Sequence, residues 1–250
     1  GVFIKTLESA LTNEEIDCAI HSFKDVTSQL ATGTSLCYYL DEDGHRDCLI
    51  ASCIDKKKFK LAEKSSFCIA TGSIRRICCL KNLYPNVCTV DIRGNVESRI
   101  NKCADGYADG VMLSEAGIHR LGLTEMITEY FDPFVFPPAP GQGLVTAQIR
   151  TEDTKVHDYF SAIQNTKTRV IGDAYYSFLQ AIGLDCRFPV GLYLSYLKDT
   201  IKGAAFWSDM NGQEITQEAF EYPVADTQWF LTKLSEKVKE TFRLNPNPLK

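Results

Sequence analysis

No run of apolar residues in this sequence approaches the roughly 20 needed to cross a bilayer, so no transmembrane helix is expected. The ten cysteines form no C-x-x-C pair and no Cys/His group with zinc-finger spacing, which speaks against a dithiol redox motif or a structural zinc site. Excess positive charge is missing too. Lys and Arg total 27 against 32 Asp and Glu, a net charge of −5, which argues against binding to nucleic acid or to an anionic membrane surface. There are no internal repeats and no low-complexity segments, and residues 1 onward do not read as a secretory signal. A small anionic ligand held by a local group of arginines stays open.

What is present is ordinary for a globular chain: 44% hydrophobic and 24% charged residues over 250 positions, enough for one to three domains. Several cysteines sit in apolar runs such as "FCIA" and "ICCL", where a thiol behaves as a small buried hydrophobe. That usage suits a reducing compartment better than a disulfide scaffold. Cys186 stands apart, since the other nine cysteines all precede residue 104.

The opening "GVFIKTLESAL" reads as an amphipathic helix, with Phe3, Leu7 and Leu11 on one face, and "DCAIHS" reads as a buried strand. The turn-rich "DEDGHRD" (41–47) between "LCYYL" and "CLIAS" reads as an interdomain crossing. Three strand-then-helix units follow: "SFCIAT" into "GSIRRICCLKNL" with Ser73 as N-cap, "VCTVDI" into "RGNVESRINKC", and "ADGVMLS" into "EAGIHRLG". Such alternation predicts a parallel or mixed sheet with right-handed crossovers. The proline-rich "FDPFVFPPAPGQGLV" (131–145) is a boundary or a return crossing, and "LVTAQIR" resumes as a strand. After residue 166 a helix, two strands, a hairpin through "MNG" and a last helix over about 225–241 predict a separate α+β domain.

Ligands of open α/β sheets bind at the carboxyl ends of strands, and three polar clusters fall there. "CAIHSFKDV" ends a strand with His21, Ser22, Lys24 and Asp25 in near succession. A carboxylate beside an ammonium stays ionised, which suits it to stabilising a cation and relaying protons, although an exposed strand end would look the same. "TGSIRR" places Thr71, Gly72 and Ser73 ahead of Arg75 and Arg76 at a helix start. Cations are disfavoured in a first turn, and an anionic ligand would relieve that conflict; ordinary capping with solvated arginines is the alternative. "DIRGNVESR" adds Arg93 and Arg99 at a further strand-to-helix turn. Guanidinium groups take carboxylates in a bidentate fork, so the four together suit a polycarboxylate. "PAPGQGL" sets Gln142 between two glycines, a tight turn or a close approach to ligand, and "LDCRFPVG" sets Cys186 beside Arg187.

Taken in order, "HSFKDV", "TGSIRR", "DIRGNVESR", "SEAGIHRLGL" and "PAPGQGLV" resemble the sequence blocks of the porphobilinogen deaminase (hydroxymethylbilane synthase) family, and the similarity runs from residue 1 to about 150. The resemblance implies an α/β fold of two doubly wound lobes, like bilobal periplasmic binding proteins, and a small C-terminal α+β domain. The implied bounds are 1–43 with 144–162, 44–143, and 163–250. It implies a transferase of tetrapyrrole (haem) biosynthesis that joins four porphobilinogen molecules with loss of ammonia to give hydroxymethylbilane. It implies a covalent dipyrromethane cofactor on Cys186, Asp25 as the catalytic carboxylate facing cationic intermediates, and no metal. Lys24, Arg75, Arg76, Arg93 and Arg99 are then expected to bind acetate and propionate groups, with Ser22, Thr71, Ser73 and Gln142 lining the same cleft. A monomer in the cytoplasm or plastid stroma, with porphobilinogen as small-molecule partner and neither nucleic acid nor membrane, completes the expectation.

Three features depart from the family pattern. Its first strand and helix, with an Arg and a Ser of the cleft, would lie ahead of position 1. Leu184-Asp185 stands where the family has Gly-Gly before its cysteine, and "YYSF" (175–178) replaces an E-R-A-F-like stretch. A non-catalytic polycarboxylate-binding protein and an inactive deaminase fragment are the competing readings.

Overall fold

In the computed structural model the described residues are 2–41, 44–52, 59–64, 66–183 and 188–244. Helix α1 (Val2–Thr12) precedes β1 (Cys18–Ser22), whose pattern of alternating exposure marks a strand covered on one face. Strands β2 (Thr34–Asp41) and β3 (Asp47–Ala51) lie on either side of the first crossing. Next come β4 (Phe67–Ala70), α2 (Ile74–Leu83), β5 (Val87–Val90), α3 (Val96–Ala104), β6 (Gly110–Ser114), α4 (Glu115–Arg120) and the short β7 (Glu129–Tyr130). The chain then returns through β8 (Leu144–Arg150), α5 (Thr154–Ile163) and α6 (Thr166–Ile182). It ends with β9 (Val190–Leu197), β10 (Thr200–Trp207), β11 (Thr216–Pro223) and α7 (Thr227–Leu244).

These strands form three sheets. β1-β8-β2 is antiparallel, β5-β4-β6-β3-β7 is mixed, and β11-β10-β9 is antiparallel. In the second sheet β4 runs parallel to both β5 and β6, and α2 and α3 are the crossover helices, while β3 returns antiparallel to β6. The architecture is therefore α/β in two lobes with a C-terminal α+β unit. Residues 44–47 lead from the first sheet to the second, and residues 137–143 lead back.

The reasons are local. Ser73 and Asn95 accept from backbone N–H groups of α2 and α3, satisfying donors that a helix start leaves unpaired. In α3, Ile100 and Cys103 are buried and Val96 packs beside them, one apolar face at helical spacing. α6 closes the first sheet, and Gly172 lets it approach so near that a Cβ there would overlap the Tyr39 ring. One core runs through both: Phe23, Tyr39, Ile171 and Phe178 cluster with Leu192, Ile201 and Leu231 of the C-terminal unit. Tyr175, where the family stretch carries charge, instead accepts a hydrogen bond from the Leu194 N–H of β9 at 2.8 Å.

The return crossing is held by Gly141. Its φ of +69° is open to glycine at little cost, and an added Cβ would overlap the Phe23 ring. Phe23 is fully buried and starts the short turn Phe23–Asp25 that follows β1. The backbone of 141 and the end of β1 are thus packed directly together, which fixes where Lys24 and Asp25 emerge.

Candidate active site

Lys24 and Asp25 open into a cavity of about 250 Å³, also lined by Ser73, Arg75, Arg76, Arg93, Arg99 and Gln142. The turn after β1 supplies the first two, the start of α2 the next three, the turn into α3 Arg93, and the first turn of α3 itself Arg99. Gln142 comes from the return crossing. Leu179 and Ile182 of α6, with Phe188 and Val190, give the cavity an apolar side. Among the described residues, five cations and one carboxylate thus surround a half-apolar space, a setting that suits a ligand with several negative groups and an apolar body.

The cations are not alike. Arg75 and Arg76 are buried, and both are bound to Asp47, which is fully buried at the start of β3. Arg75 Nη1 donates to Asp47 Oδ2 at 2.7 Å and to the Pro137 carbonyl at 2.9 Å. Arg76 donates to Asp47 Oδ1 through Nε and Nη2, at 3.0 and 2.7 Å, and to the Met112 carbonyl at 2.7 Å. Burial alone would raise the Asp47 carboxyl, but the two guanidinium groups outweigh it and hold the group well below the usual carboxylate range. Two arginines against one aspartate leave one net positive charge. Asp47 bears no motif signal, and its neighbour in the ladder is Ser114, far along the chain; only the fold reveals it.

Arg93 and Arg99 are held more lightly. Arg93 Nε donates to the exposed Asp91 at 3.3 Å, and Arg99 Nε donates to the Gly94 carbonyl at 2.7 Å. Among the described residues neither guanidinium meets a buried carboxylate. Burial, then Arg76 and Arg93, press the Arg99 guanidinium toward its neutral form, the behaviour of a cation among cations.

Gln142 ties the two crossings together. Its side-chain nitrogen lies 2.9 and 3.0 Å from the carbonyls of His45 and Arg46 and 3.2 Å from Asp47 Oδ1, while His45 Nδ1 donates to the Gln142 carbonyl at 2.8 Å. Ser73 caps α2. Thr71 is buried and accepts from the Ser73 N–H, and Ser22 ends β1 opposite Val145. Neither Thr71 nor Ser22 lines the cavity. His21 turns away into the first sheet, where it donates to Gln148 at 2.9 Å. Cys186 lies outside the described residues; Ile182 and Phe188, on either side of it in sequence, both line the cavity. Among the described residues no cluster of three or more metal-ligating side chains could hold an ion, and no helix is long and apolar enough to cross a membrane.

Lys24 gives the site a measurable signature. Its amine is 3.2 Å from Ser114 Oγ, and burial, then Arg76, lower its pKa from the ordinary 10.5. A bound carboxylate adds a negative charge that offsets the lowering, so the complex should take up a proton as the Lys24 pKa rises back toward its ordinary value. Titration calorimetry with citrate in buffers of different ionisation enthalpy should show that uptake at pH values below the ordinary amine range. Lys24→Met should abolish it. Buffer-independent heats in the unaltered protein would mean that the amine does not meet the anion.

Fold and cleft together define a bilobal α/β protein whose cleft, among the described residues, is lined by five cations and the Asp25 carboxylate. The family is narrower than that class. A family model described as "Porphobilinogen deaminase, dipyromethane cofactor binding domain" matches residues 1–158, and the chain belongs to this family. The porphobilinogen deaminase of Syntrophomonas wolfei is 38% identical over 191 residues, covering 76% of this chain and 61% of that protein. That of Clostridium kluyveri is 37% identical over 193 residues, covering 77% and 65%. The chain thus spans less than two thirds of the length of these curated relatives. Among solved structures, an ancestral cationic amino acid solute binding protein overlaps 69% of this chain and 72% of its own, with a TM-score of 0.42 and 14% identity. An overlap that distant assigns nothing.

Proposed function

We propose that this chain is the working part of a porphobilinogen deaminase, a transferase that condenses four porphobilinogen molecules head to tail, releasing ammonia, to give hydroxymethylbilane. The observation that carries the reading is the convergence of Asp25, Lys24 and four arginines on one cavity in a chain of this family. The proposed domains are 1–43 with 144–162, 44–143, and 163–250, hinged where Gln142 joins the crossings. The residues present fit a dipyrromethane: cations for its carboxylates, and Leu179, Ile182, Phe188 and Val190 for its rings.

When bound, through Cys186, the dipyrromethane supplies the carbon nucleophile from which the chain is extended. The protein's own groups do the rest. Lys24, Arg93 and Arg99 hold carboxylates, Arg75 and Arg76 add the net charge that Asp47 leaves over, and the apolar side excludes water. Asp25 faces the positive charge that develops as ammonia departs, and it takes and returns protons at its carboxylate oxygens. Ser73 and Gln142 set the cleft wall, and Ser22 and Thr71 support it from behind. The proposed setting is a monomer in the cytoplasm or plastid stroma.

Intact mass tests the reading. Protein purified from cells that make porphobilinogen should exceed its polypeptide mass by one dipyrromethane, and Cys186→Ser should remove the excess. An unmodified mass from such cells would overturn it.

A further inference from the structure

Two thiols unrelated to the cleft stand side by side. Cys68 on β4 and Cys88 on β5 are direct partners in a parallel ladder, so their side chains leave the same face of the sheet. Adjacent strands are about 4.7–4.9 Å apart, inside the roughly 4.4–6.8 Å Cα separation that a disulfide spans. β5 is the edge strand of its sheet, Cys88 is exposed and Cys68 half-buried, whereas Cys37, Cys48, Cys78, Cys79 and Cys103 are buried. Burial first, and the neighbouring Cys88 thiol second, push the Cys68 thiol up to about 12.

We propose that Cys68 and Cys88 form a reversible cross-strand disulfide that staples the edge strand to its neighbour. The position gives the bond a consequence. β4 leads into the start of α2, which bears Arg75 and Arg76, and β5 leads into the turn with Arg93 and the start of α3 with Arg99. The turns also meet, since a Cβ on Gly72 would lie 2.9 Å from Asp91 Oδ1. The thiols sit at the opposite end of this two-stranded ribbon, about 10 Å from the turns at strand rise. A bond there holds the ribbon that carries the cleft arginines in register.

With glutathione disulfide as oxidant the chemistry balances. The exposed Cys88 thiolate attacks one sulfur and releases one glutathione. The Cys68 thiolate then attacks Cys88 sulfur and releases the second. Two protein thiols lose two electrons and two protons, and one glutathione disulfide becomes two glutathiones. Because the Cys68 thiol is raised, the second step should speed up at higher pH.

The test uses the purified protein equilibrated with glutathione disulfide, alkylated and analysed by intact mass and peptide mapping. The expected product has lost two hydrogens and joins the peptides holding residues 68 and 88. It returns to two thiols with dithiothreitol, and it melts about 5–10 °C higher, as closing a loop of this length implies. Cys88→Ser should lose both the link and the shift, and the buried Cys78→Ser should keep them. Stable glutathione on Cys88 with Cys68 still alkylated, a link from Cys88 to any other cysteine, or full alkylation of both after equilibration would each overturn the proposal.

Discussion

Replacing Asp47 with alanine should cost about 3–5 kcal/mol, because it strands two buried guanidinium groups without their anion. For a chain of this size that is a loss of roughly 10 °C or more in melting temperature. Asp47 is fully buried, and Arg75 and Arg76 are only 4% and 7% exposed, so water cannot replace the carboxylate. Cavity formation alone would give a smaller loss. Added citrate separates the two causes: without Asp47 the pair presents two positive charges to the cleft instead of one. The variant should therefore recover more of its melting temperature in citrate than the unaltered protein gains. A loss below about 1 kcal/mol, or equal citrate effects in both proteins, would show that Asp47 does not hold the pair.

The same carboxylate sets an acid limit. Its folded pKa is depressed, so its contribution is fully present above the unfolded value near 3.9. It declines as pH falls from there, since the unfolded chain takes up the proton first, and it vanishes below the folded value. The stability gap between the unaltered protein and Asp47→Asn should stay constant from pH 7 to about 4.5 and narrow only in stronger acid. A gap that closes near neutrality would point to another group.

Most of this frame was legible in the residues. The strand-helix units of the second lobe carry short apolar runs followed by helical patterns, and their caps, Ser73 among them, are local. So is the clustering of polar residues at strand ends, and it brings eight expected side chains to one cavity. What failed to show was non-local. Two arginines in the first turn of α2 raise a conflict that a ligand alone would seem to resolve. The structure places Asp47 there, 28 residues upstream of Arg75 on a strand whose neighbours are distant in sequence. Helix α5 was missed because it has no buried residue of its own; Val156 and Phe160 only lean on the first sheet. Thr71 and Ser22 sit beside cleft residues in sequence, yet neither lines the cavity: Thr71 is buried and accepts from the Ser73 N–H, and Ser22 is the last residue of β1.

The largest effect on turnover should come from Asp25→Asn. The change keeps size and hydrogen-bonding shape and removes the only carboxylate among the described residues lining the cavity. Five cations remain, so a substrate bearing carboxylates should bind within a few-fold of normal. A developing positive charge in that field would lose the Asp25 counter-ion, and losses of preorganised electrostatic stabilisation run to about 10²–10³ in rate. Adding the lost proton acceptor makes roughly 10³ or more the expected fall in kcat, measured in cofactor-loaded protein that turns over porphobilinogen. The neighbouring amine supplies a second readout. Asp25 is among the charges that raise the Lys24 pKa against burial and Arg76, so removing it should lower that pKa further. The proton uptake that accompanies citrate binding should therefore extend to lower pH in the variant. A merely structural Asp25 would change stability and leave both the kcat-against-KM split and the uptake profile in place. Near-normal kcat with an unmoved profile would remove Asp25 from the chemistry and leave the cleft a binding site alone.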